Sequence, residues 1–128
     1  MFQENDLDVS GRRGGEAAPK QKIMDAVSFI KSNYWHNLVL ENVTGHVGLS
    51  TYYFIRTFKK HTGMTPYRFL MVERINVAKQ LLQTTDLKVH EVSVMVGYRS
   101  DSNFVKTFKS IAGVTPRAYR LSLKARES

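Results

Sequence analysis

Apolar residues recur at helical spacing from residue 21 onward. Ile23, Ala26, Val27, Ile30 and Tyr34 stand at i, i+3, i+4, i+7 and i+11, one stripe along one helix. Leu38, Leu40, Val43 and Val47 form a shorter stripe that Gly48 ends, and Pro66 opens a long helix over 66–83 whose buried side is Leu70, Met71, Ile75, Ala78, Leu81 and Leu82. No segment alternates as a strand does, so the predicted fold class is all-α. Residues 1–20 are polar, contain GRRGG and AAP, and follow no period; they read as a disordered tail or linker remnant ahead of a folded domain over 21–128.

An internal repeat organises that domain. VGLSTYYFIRTFKKHTGMTP (47–66) returns as VGYRSDSNFVKTFKSIAGVTP (96–116). At an offset of fifty, Phe54, Phe58, Lys59, Gly63, Thr65 and Pro66 recur as Phe104, Phe108, Lys109, Gly113, Thr115 and Pro116. Gly48 and Gly97 match at an offset of forty-nine, so the second copy has one extra residue ahead of its helix. Two copies are too few for a solenoid. Each copy reads as a short helix ending in Gly, a tight turn, a Ser suited to the N-cap (Ser50, Ser100), and a second helix: a helix-turn-helix unit. The units are placed at 38–62 and 88–112, with a terminal helix over 116–124 that opens on Thr115-Pro116.

At about 100° per residue, Phe54 and Phe58 set the buried side of the first unit's second helix, with His61 on that side. Tyr52, Ile55, Arg56 and Lys59 fall opposite. In the second unit Phe104, Phe108 and Ile111 are inward, and Ser102, Val105, Lys106 and Lys109 outward, with Asn103 on the flank. The outward faces carry bases and no acid; Asp101 stands at the helix start. Arg or Lys pairs with guanine, Asn with adenine, Ile or Val touches a thymine methyl, and the remaining Lys suit phosphates. The 66–83 helix would be roughly 27 Å long, near the ~34 Å between successive major-groove openings on one side of a duplex. A tandem pair of units therefore needs no dimer and no palindromic site.

Charge supports this reading. Nineteen Lys and Arg against eleven Asp and Glu give +8, and residues 21–128 alone hold +9. Such an excess on a folded domain suggests a polyanionic partner, first of all double-stranded DNA. No run is long and apolar enough to span a bilayer or to act as a signal peptide, so no membrane partner is expected and the expected location is the cytoplasm, at the nucleoid when DNA-bound. The absence of cysteine removes disulfides, thiolate zinc sites and Cys nucleophiles together.

GLSTYYFIRTFKKHTGMTP, ERINVAKQLLQTTDLKVHEVSVMVGY and SNFVKTFKSIAGVTPRAYR together resemble the DNA-binding domain of the AraC/XylS family of bacterial transcription regulators, over about residues 21–121. The resemblance implies seven helices, with two tandem helix-turn-helix subdomains joined by a long central helix. It implies base-reading positions at Tyr52, Ile55 and Arg56 on the first recognition helix and at Ser102, Asn103 and Lys106 on the second. It also implies contact with RNA polymerase during activation, and the isolated domain is expected to be monomeric. Thr44 and Ser93 stand where the family usually has a small alanine, and both are small enough to fit. The rivals are a non-specific or architectural DNA binder and a protein-interaction module docking through Tyr52, Ile55 and Val105.

Other polar residues have plainer explanations. His36, His46, His61 and His90 show no metal-ligand spacing, and His61 is expected to be packed. Asp86 and Glu91, like Asp25 and Glu41, sit at helix starts or on exposed faces, where capping or dipole pairing accounts for them. Trp35 is expected to pack at a helix end, and Glu73-Arg74 to form an ion pair on the central helix. No nucleophile-base pair, phosphate-cradling loop or cofactor motif is present, so neither enzymatic activity nor a cofactor is expected.

Overall fold

The computed structural model describes residues 17–127. They form seven α-helices: α1 Ala17–Asn33, α2 Leu40–Val47, α3 Thr51–Thr62, α4 Pro66–Thr84, α5 Val89–Met95, α6 Asp101–Ala112 and α7 Pro116–Glu127. No strand occurs among the described residues. α1 begins at Ala17, so its first turn lies inside the stretch read as tail; residues 1–16 of that stretch lie outside the described residues. The helices divide between two compact units. Among the described residues, one comprises 17–32 and 38–66; the other comprises 33–37 and 67–127.

The first unit is α1, α2 and α3. Ile23, Ala26 and Ile30 from α1, Val43 and Val47 from α2, and Phe54 and Phe58 from α3 are buried, which is the expected meeting of three apolar stripes. The Phe54 and Phe58 rings lie 5.3 Å apart and tilted, an arrangement worth about 0.5–1.5 kcal/mol beyond area burial. α2 stops at Gly48 in the left-handed conformation (φ 73°), whose N–H donates to the Thr44 carbonyl at 2.8 Å. Three residues separate α2 from α3.

The second unit is α4 from Tyr67 onward, α5, α6, α7 and the short segment Asn33–Asn37. Leu70, Met71, Ile75, Ala78 and Leu82 from α4 are buried in it with Val92, Val96, Tyr98, Phe104 and Phe108. Tyr98, Phe104, Phe108 and Tyr119 form a chain of ring contacts at 5.4, 5.8 and 5.7 Å. The α5–α6 connection has five residues, and Gly97 in it takes φ 104°. A Cβ on Gly97 would lie 3.0–3.1 Å from the Tyr34 carbonyl oxygen and the Trp35 backbone, so both its conformation and its close approach require glycine.

Arg74 departs from its expected role. It is buried, and its guanidinium donates to the backbone carbonyls of Tyr34 (2.7 Å) and His36 (2.9 Å) while lying 5.3 Å from the centre of the Tyr98 ring. The carbonyls of a segment nearly forty residues away outcompete Glu73, because neighbouring positions on a helix point away from each other. Burial lowers the Arg74 pKa and raises that of Tyr98. Arg120 plays a similar part on α7, donating to the carbonyls of Leu82, Thr85 and Leu87 at 3.2, 3.1 and 2.6 Å, which fastens the end of α4 and the loop after it. Trp35, just past the end of α1, is 45% exposed; its ring meets Tyr34 edge-on and lies 5.0 Å from the His36 ring, while its backbone backs Gly97.

Candidate nucleic-acid interface

Side-chain caps fix the helix ahead of the outward face in both units and the presenting helix in the second. Asn42 and Glu91, equivalent in the repeat, accept from the N-cap N–H of Val39 (3.0 Å) and Lys88 (2.7 Å), each closing one half of a capping box. Glu91 is thus explained by capping, as expected. Ser100 accepts from the Asn103 N–H at 3.2 Å and caps α6, whereas Ser50 occupies the same position before α3 without a side-chain bond to the helix. Thr115 caps α7 through the Ala118 N–H at 3.1 Å.

α3 presents Tyr52, Ile55, Arg56 and Lys59 outward together. Tyr52 is 73% exposed and Ile55 is at the edge of exposure, while Arg56 and Lys59 are open. The Arg56 guanidinium lies 5.6 Å from the centre of the Tyr52 ring, a cation–π contact one turn long that holds both side chains on that face. On α6, Ser102, Asn103, Lys106 and Lys109 are exposed. Val105, expected outward like Ile55, is half-buried instead and offers less of its side chain. Asp101 at the start of α6 is engaged by His90 of α5, whose Nδ1 lies 2.8 Å from the carboxylate; both side chains are largely exposed.

His61 is a correction. It is exposed, because it lies in the last turn of α3, beyond the layer that covers Phe54 and Phe58. Tyr53 (42% exposed), Lys60 and Thr57 also border the face on one flank, and sequence reasoning passed over them because they sit between the buried and outward directions. The signal was present as a second spacing, Tyr53-Thr57 and Arg56-Lys60, each four apart. Among the described residues, no group of three or more His, Asp or Glu side chains could hold a metal ion, and no helix is long and apolar enough to cross a membrane.

A profile for a helix-turn-helix domain matches residues 43–122. The HTH-type transcriptional activator AarP of Providencia stuartii is 30% identical over 118 residues, covering 92% of this chain and 87% of AarP. The chain belongs to the AraC-type helix-turn-helix family of transcription regulators. A transcriptional regulator from Chromobacterium violaceum, described as having an AraC-type DNA-binding domain, superposes with a TM-score of 0.76 at 29% identity, covering 84% of this chain and 96% of that one. The DNA-binding domain of the global transcriptional factor AdpA, solved in complex with a target DNA, superposes with a TM-score of 0.78 at 28% identity, over 82% of this chain and 95% of AdpA's. Against several other curated relatives the chain spans 35% of their length. The AraC-type fold that the resemblance implies, seven helices with two tandem helix-turn-helix units and a long helix between them in the chain, is the one observed.

Proposed function

We propose that this AraC-type domain binds double-stranded DNA sequence-specifically by inserting α3 and α6 into consecutive major-groove segments, and so regulates transcription. One observation carries the reading: two recognition helices in tandem present matched, exposed faces with bases at the same positions, Arg56 with Lys59 and Lys106 with Lys109. The likeness to AdpA's DNA-binding domain supports it. Arg56 and Lys106 are the principal anchors on base edges or phosphates. Tyr52, Ile55 and the more covered Val105 supply apolar contact to bases, Ser102 and Asn103 supply hydrogen bonds, and Lys59 and Lys109 meet phosphates. With both units on one chain, the domain binds as a monomer to a site that need not be palindromic. It works at the nucleoid in the cytoplasm, with contact to RNA polymerase accompanying activation.

In-vitro selection from random ~30 bp duplexes tests the reading, with halves about one helical turn apart as the expected result. Arg56→Ala should then cost about 1–3 kcal/mol and relax preference at one position of the selected site. Equal loss on every sequence would make Arg56 a phosphate contact. Salt-sensitive binding without any enrichment would replace specific recognition by an architectural role.

A further inference from the structure

We infer that a cleft on the flank of α3 seats one phosphodiester group of the DNA backbone, an assignment that rests on the DNA-binding reading above. The cleft has a volume of about 330 Å3 and is lined by Pro19, Tyr53, Arg56, Thr57, Lys60 and His61, all in the first unit. Two cations, an imidazole and two hydroxyls face this space, and among the described residues no carboxylate does. Tyr53 with Thr57 and Arg56 with Lys60 are pairs four residues apart, so the donors align along one side of the helix.

Thr57 is the telling residue. It is 9% exposed, and it lines the wall of the cleft. Thr62, Thr84 and Thr85, also in or just beyond helices, bond back to the carbonyls of Phe58, Gln80 and Leu81 at 2.9, 2.8 and 2.6 Å. In the second unit the Tyr98 hydroxyl donates to Met71 Sδ at 3.2 Å, whereas the residue matching Tyr98 in the first unit is the apolar Leu49. The first unit places the Thr57 hydroxyl on the wall of a basic cleft, where an anionic oxygen can accept from it.

The group chosen is a phosphate, because several donors converge on a space that holds a tetrahedral anion. Its source is the DNA strand, because Arg56 belongs both to the cleft and to the outward face, and phosphates line the rim of any groove that α3 enters. Lys60, Thr57 and Tyr53 thus hold the backbone beside the bases that Arg56 addresses. Lys60 is a phosphate contact and carries no sequence preference.

The test uses the intact chain, the selected duplex, and a series of duplexes with single phosphates neutralised as methylphosphonates. Lys60→Gln should weaken binding equally on all sequences and reduce the slope of log affinity against log salt by about 0.9. Thr57→Val, nearly isosteric, should weaken binding several-fold with an unchanged or higher melting temperature. One methylphosphonate position should weaken the unsubstituted protein and leave the Lys60→Gln variant unaffected. Wild-type affinity and salt slope in both variants would overturn the assignment while Arg56→Ala still reported on the broader reading. Failure of the unsubstituted protein to bind any duplex would overturn both. Inorganic phosphate saturating the Thr57 and Lys60 NMR signals, with no sensitive position in the methylphosphonate scan, would reassign the cleft to a free small anion and overturn the backbone source.

Discussion

The two helix-turn-helix units carry the same repeat but brace it differently. In the second unit the turn before α6 rests on other parts of the unit: Gly97 against the backbone of Tyr34 and Trp35, Tyr98 against Arg74 and Met71, and Ser100 on the first turn of α6. In the first unit, a Cβ on Gly48 would meet only the tip of Lys22 at 3.7 Å, and the N-cap Ser50 makes no side-chain bond to α3. Repetition of the outward face thus does not require repetition of its support. One recognition helix is fixed by non-local contacts, the other chiefly by the packing of Phe54 and Phe58.

Removing the brace gives the largest expected effect. Arg74→Ala deletes two charge-assisted hydrogen bonds and strands two carbonyls, and should cost about 3 kcal/mol of stability by urea denaturation. A loss under about 1 kcal/mol would mean that water replaces the guanidinium and that the contrast between the units is shallow. Alanine at the two turn glycines comes next. Gly48→Ala should cost about 1 kcal/mol, the strain of the left-handed conformation alone. Gly97→Ala should cost at least about 2 kcal/mol, since backbone must also move aside. Equal melting temperatures for these two variants would erase the distinction.

Smaller effects sharpen it. Ser93 is fully buried in α5 with no partner for its hydroxyl, while the equivalent Thr44 reaches the Glu41 carbonyl at 3.4 Å. Ser93→Ala should therefore raise stability by about 1 kcal/mol, and Thr44→Ala should not, as read from thermal unfolding. Least of all, a double-mutant cycle on His90 and Asp101 should give a coupling of about 0.5 kcal/mol that shrinks as salt is added, because both side chains are largely exposed.

What could be read in the sequence was local. The helices follow from apolar spacing, the turns from Gly48 and Gly97, and the outward faces of α3 and α6 from rotation about Phe54 and Phe104. Small residues at Thr44 and Ser93 fit as expected, though the Ser93 hydroxyl goes unsatisfied. What could not be read depends on distant partners. Arg74 chooses carbonyls 38 and 40 positions away over its neighbour Glu73, which no helical period encodes. Val105 is more covered than Ile55, and Tyr98, bonded to Met71 in the second unit, is matched in the first by the apolar Leu49. His61 was misjudged because rotation about a helix says nothing of where the core ends along its axis.

The clasp on Asn33–Asn37 also has a bearing on synthesis. The ribosome delivers that segment well before Arg74, and at about 5–20 residues per second the interval of 40 residues lasts roughly 2–8 s. Throughout that time the carbonyls of Tyr34 and His36 lack the guanidinium that holds them in the folded chain, while the apolar stripes of α1, α2 and α3 reach solvent first and can pair. The nascent chain thus passes through a stage in which α1, α2 and α3 can assemble around a connection that has no anchor. A pause during translation after that connection has emerged from the ribosome and before Arg74 has done so would lengthen its exposure to proteases, with no change to the finished protein.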